Sequence, residues 1–154
     1  MTAESGTFEL GTDGPSVILV GVDDSTTSIR AGWYAAGLAR RQGARIVAVF
    51  VQPIASFGEA GPGGAGLAVA KEEAFRNSVE DMQRRADAFA AELGISVTFR
   101  AERGDPYSEI VRIAEEVRAD AIVVGASKRA GHRLVGSLAV RLVRAGKWPV
   151  TVVP

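Results

Sequence analysis

A chain of 154 residues, 47% of them hydrophobic, is long enough for one domain that buries about two thirds of its unfolded surface. It has no cysteine, which excludes a disulfide framework and a thiolate metal site, and no apolar run approaches the ~18 residues needed to cross a bilayer. Eighteen basic and 18 acidic side chains cancel, yet residues 121–154 hold six basic residues and no acid, a balance suited to a small anionic ligand rather than to DNA.

Residues 1–15 are polar and acidic, the wrong chemistry for a signal peptide, and read as a flexible leader to a single domain over 16–154. A cytoplasmic protein with no membrane partner is the simplest inference. Ser16 to Val22, SVILVGV, has the solid β-branched character of a central parallel strand. The run Asp23-Asp24-Ser25-Thr26-Thr27-Ser28 follows, a cluster of helix N-cap residues. In the helix it opens, Ala31, Ala35, Leu38 and Ala39 share one face, small enough for close packing on a sheet. Gly43 closes that helix, and Arg45 to Val51 is a second buried strand.

Gln52 to about Leu67 is glycine-rich and reads as a long irregular segment, either a lid or a disordered loop. Phe75, Val79, Met82, Ala86, Phe89 and Leu93 then repeat at helical spacing as a core-facing stripe that Gly94 ends. Ile95 to Ala101 alternates apolar and polar residues, which predicts an edge strand. Asp105-Pro106 caps a third helix with Ile110, Ile113, Ala114 and Val117 inward. A fourth strand spans 120–125, a fourth helix 136–145, and a short last strand Val150 to Val153. This alternation predicts an α/β fold: an open doubly wound five-stranded parallel sheet with helices on both faces, Rossmann-like in kind.

Such sheets bind ligands beyond the carboxyl ends of their strands, where the strand order reverses. If strands 1 and 4 are the neighbours there, Asp23 to Ser25 and Gly125 to Ser127 face one crevice. The stretch AIVVGASKRAGHRLVGS, residues 121–137, reads as strand, basic glycine-bearing loop, Gly-Ser and helix. Gly125, Ser127, Lys128, Arg129, Gly131, Gly136 and Ser137 thus present bare backbone N–H groups, hydroxyls and cations to an anion. His132 in that loop is either a phosphate donor or a plain exposed histidine. Arg141, Arg144 and Lys147 read as a solvated helix face.

From VILVGVDDS through RIVAVFV to DAIVVGAS, GS and PVTVVP, nearly the whole chain resembles the universal stress protein family, which implies the strand order 3-2-1-4-5. In that family's nucleotide-binding branch, a G-2x-G-9x-G-(S/T) loop after strand 4 wraps the phosphates of ATP. The resemblance implies that Asp23 and Ser25 lie near the adenine and ribose, that Val51, or Val49, lies against the base, and that Gly125, Gly136, Ser137 and Leu138 frame the phosphate loop. Two departures matter: Lys128 stands where the middle glycine is expected, and residues 129–135 make a spacer of seven instead of nine. A shorter loop wraps a triphosphate less tightly, so ADP, AMP or cyclic AMP stands beside ATP (with Mg²⁺) as the ligand, and loss of binding stays open. The resemblance also implies a homodimer through Val150 to Val153, whose unpaired edge invites a second copy.

The function expected is therefore an adenine-nucleotide-binding stress-response regulator. Its alternatives are a dimer acting through protein contacts alone and a weak ATP hydrolase. A phosphoacceptor domain needs an aspartate at the end of strand 3, where the sequence reads Ala101-Glu102-Arg103. An adenylate-cleaving enzyme needs glycines in the first loop that GVDDS lacks.

Overall fold

Parallel strands and helices alternate along the chain in the computed structural model, which describes residues 14–54, 64–127 and 136–154. The elements are β1 (Val17–Gly21), α1 (Thr26–Gln42), β2 (Arg45–Gln52), α2 (Gly64–Leu93), β3 (Val97–Arg103), α3 (Pro106–Glu116), β4 (Ala121–Gly125), α4 (Ser137–Ala145) and β5 (Val150–Val153). The five strands lie in the order β3-β2-β1-β4-β5 that the family resemblance implies, so the order reverses between β1 and β4. Strands β1 and β4 are central and carry the same burial pattern, with three buried residues between two half-buried ones. They pair from Ile18 with Ala121 to Val20 with Val123, which brings both strands' carboxyl ends to one rim.

Right-handed crossovers put the helices in two layers. On one face, Ile18, Val20, Ile46 and Val123 pack against Ala31, Ala35, Ala36 and Ala39 of α1. On the other, Leu19, Val47, Val49, Ile122 and Val124 meet Ile110 and Ile113 of α3 and Leu142 of α4. The start and end of α1 obey local rules. The Ser25 hydroxyl caps it by accepting from the Ser28 N–H at 3.1 Å, and Gly43 leaves it at φ 64°. At α3, Asp105 accepts from the Ser108 N–H at 3.0 Å and Pro106 occupies the first turn.

Two boundaries and the burial of one helix differ from the sequence reading. Helix α2 begins at Gly64, inside the segment expected to be irregular, because Ala65, Leu67, Ala68 and Ala70 are helix formers that outweigh two glycines. Strand β3 begins at Val97 rather than Ile95, because the Ile95 N–H still bonds the Ala90 carbonyl and closes the end of α2. Along α2 only Met82 of the expected core stripe is fully buried; Phe89 and Leu93 are half-buried against the α1 face of the sheet. Strand β3 is an edge strand, as its alternation predicts. The proposed leader up to residue 13, and residues 55–63 of the proposed lid, lie outside the described residues.

Candidate functional site

At the rim where β1 and β4 end, the turn after β1 is tied by its own short polar side chains. Asp23 Oδ1 accepts from the Ser25 N–H at 2.8 Å, and the Asp23 N–H donates to Ser28 Oγ at 2.8 Å. Ser25 Oγ and Thr27 Oγ1 lie 3.2 Å apart. These are the local bonds that Asp and Ser side chains offer in place of sheet or helix bonds, and they fix Asp23 as an exposed carboxylate at the head of α1. One strand over, the Val22 N–H donates to the Val49 carbonyl at 2.9 Å and extends the β1–β2 pairing to the edge of the turn.

The first turn of α1 is in turn locked onto β4. Thr27 is buried and its hydroxyl donates to the Ala126 carbonyl at 2.8 Å. A Cβ on Gly125 would stand 2.5 Å from the Thr27 carbonyl carbon and 2.7 Å from the Ser28 nitrogen, so only glycine admits this approach. The Ala126 N–H donates to the Val153 carbonyl at 2.7 Å, which ties the same loop to β5.

Residues 128–135 lie outside the described residues, and the chain returns to the rim at Gly136. A Cβ there would sit 2.7 Å from the Ser127 Cβ, so the two ends of the loop close on each other. Gly136 is the N-cap of α4 and brings no side-chain cap, and the first turn of α4 contains no acidic residue. Its leading N–H groups therefore present the positive end of the helix dipole without a side-chain acceptor from the cap.

The expected site residues fall into three groups. Asp23, Ser25, Gly125, Ser127, Gly136 and Ser137 gather at one rim, linked through Thr27 and Ser28. Val51 and Leu138 pack against the cluster on the α3 and α4 face, where Val49 is fully buried. Lys128, Arg129 and Gly131, with His132, lie outside the described residues. Thr27 and Ser28 were read as cap residues only; the link from Thr27 to Ala126 joins positions 99 apart in sequence, and no local pattern announces it.

Among the described residues, no three His, Asp or Glu side chains gather as metal ligands, and no helix is long and apolar enough to cross a membrane. The rim sets the exposed Asp23 carboxylate and the uncapped N–H groups of α4 at the carboxyl ends of β1 and β4, and it is built largely from backbone.

The sequence model of the universal stress protein family matches residues 16–154. A universal stress protein of Methanocaldococcus jannaschii is 28% identical over 138 residues, covering 88% of this chain and 80% of the relative. Among solved structures, a universal stress protein family member from Burkholderia pseudomallei is 30% identical, with a TM-score of 0.66 and coverage of 90% of this chain and 96% of the other. A universal stress protein solved in complex with cAMP is 29% identical, with a TM-score of 0.68 and coverage of 92% and 99%.

Proposed function

The chain belongs to the universal stress protein family, and we propose that it is an adenine-nucleotide-binding regulatory protein rather than an enzyme. One observation carries the reading: β1 and β4 end side by side, so that the Asp23 turn and the uncapped N-terminus of α4 flank one rim. A carboxylate there can accept from ribose hydroxyls or an adenine amino group, while the α4 N–H groups and the Ser137 hydroxyl receive phosphate. The relative in complex with cAMP supports the same ligand class. Ligand occupancy would shift the population of loop states around the rim, and a homodimer through β5 would report that state to a partner. Mg²⁺ would accompany ATP as a phosphate counter-ion.

A second reading rests on a different observation. Lys128 in place of a glycine and a spacer of seven residues shorten the phosphate loop, which favours AMP or cyclic AMP over ATP, or a dimer that acts through protein contacts without nucleotide. Thermal denaturation with ATP, ADP, AMP and cyclic AMP separates these readings. Stabilisation by one of them at millimolar concentration, with the others weaker, is the expected result. An unchanged midpoint with all four, with and without Mg²⁺, would leave the protein-contact reading.

A further inference from the structure

A cavity of about 250 Å³ opens on the opposite flank of Asp23, between α1 and α2 over the sheet. Its floor comes from β1, β2 and β3, including Val20 and Phe99, and its walls from Trp33 and Phe89. Of the described candidate nucleotide-site residues it shares only Asp23. Across it, the Trp33 ring of α1 and the Phe89 ring of α2 stand edge to face at 4.7 Å, and Arg85 of α2 reaches Asp24 in the turn before α1 at 3.7 Å.

Gly32 shows that the space is not merely a packing remainder. It lies within α1, on the cavity wall, where glycine costs about 1 kcal/mol of helix stability relative to alanine. No positive φ requires it, and a Cβ built there meets nothing within 4 Å. Its lack of a side chain serves no contact of the fold; it leaves volume on the cavity wall.

The charges at the mouth indicate what fits. Asp23 and Asp24 line it, and the one cation among the described residues that also lines it, Arg85, is held by Asp81, outside the lining, at 2.7 Å. Two lining carboxylates against one already paired guanidinium repel an anionic head group and attract a cation. At roughly 30 Å³ per small non-hydrogen group, the volume holds about eight such groups. We propose that this cavity is a binding site for a small apolar amine, whose hydrocarbon or aryl body lies between Trp33 and Phe99 and whose ammonium faces Asp23 and Asp24. The apolar lining supplies the driving force, and the acidic mouth selects the charge.

Trp33 reports on its own cavity once the second tryptophan is replaced, so the test uses the full chain carrying Trp148→Phe. Its fluorescence is followed against 2-phenylethylamine and against 3-phenylpropionate, a close match in size with the opposite charge. The amine should give a saturable change with half-saturation below about 1 mM, at least tenfold tighter than the acid. Gly32→Leu, which fills the wall, should abolish it, and Asp24→Asn should narrow the preference for the amine. Gly32→Ala should keep or raise the melting temperature. No saturable change with the amine, equal responses to amine and acid, or a melting temperature lowered by Gly32→Ala would each overturn the proposal.

Discussion

At the scale of single residues, Gly125 and Gly136 position the site by what they lack. Gly125 admits the Thr27 carbonyl where a Cβ would stand 2.5 Å away, and the obstacle is backbone, which cannot swing aside. Gly125→Ala should therefore destabilise the protein by about 1–3 kcal/mol, read as a lower urea midpoint, as overpacking does. The sequence marks Gly125 as a place for close approach to a phosphate; the fold gives it a second task, the approach of α1, which no local pattern could reveal. A different residue contributes to acid stability. Asp105 is held below the usual carboxylate range, chiefly by the Ser108 hydroxyl and N–H and then by Arg141. Because its native pKa lies below the unfolded one, the unfolded chain takes up the proton first. The cap's contribution is thus full above the ordinary carboxylate value and is lost as pH falls through the native one. Asp105→Ala should cost about 1 kcal/mol at pH 7 and progressively less below about pH 4. Chemical denaturation at the two pH values measures the difference.

At the scale of elements, α1 shows how far periodicity carries. Its alanine face is visible in the sequence, and in the structure Ala31, Ala35, Ala36 and Ala39 let the helix lie close on β1 and β4. Ala35→Leu should push the helix off the sheet and cost about 1–3 kcal/mol, measured by urea unfolding. Helix α2 was less legible. Its stripe from Phe75 to Leu93 predicts a buried helix, but periodicity reports only which side faces inward, not how far a neighbour stands off. Phe75 instead stacks on Phe50 at 6.2 Å, under the Arg103 guanidinium, and the helix leans over the β3 side of the sheet. The gap this leaves toward α1 is the cavity. Strand β3 illustrates the same limit, since the boundary at Val97 depends on a hydrogen bond between Ile95 and Ala90 that alternation cannot register. Its edge position was legible because Ile95, Val97 and Phe99 alternate with polar residues instead of forming the solid apolar run of a central strand.

At the scale of the whole molecule, a doubly wound parallel sheet followed from the order of the elements, because right-handed crossovers leave few ways to wind one, while the choice of strand order came with the family resemblance. The same order leaves β5 as the second edge. Pro149 and Val153 direct their carbonyls to β4, so the alternation of a parallel strand turns the Val150 and Val152 backbone outward. If a second copy pairs there, Val152→Pro removes one outward N–H and should turn a dimer into a folded monomer. Light scattering at micromolar concentration would show it, and wild type that is already monomeric would contradict the pairing. The site was legible as residues but not as an assembly: Asp23, Gly125 and Gly136 stand out in the chain, whereas Thr27 and Ser28, which join them, look like ordinary caps.

The most direct test of the account is calorimetric titration of the wild type and Gly136→Ala with the four adenine nucleotides, both proteins first matched by circular dichroism. A Cβ at Gly136 presses on Ser127 at 2.7 Å and displaces the lead-in to α4. Micromolar binding of one nucleotide by the wild type, weakened at least tenfold in the variant, is the predicted result. Binding that survives Gly136→Ala unchanged, or no heat from any of the four, would contradict a nucleotide held between the Asp23 turn and the start of α4.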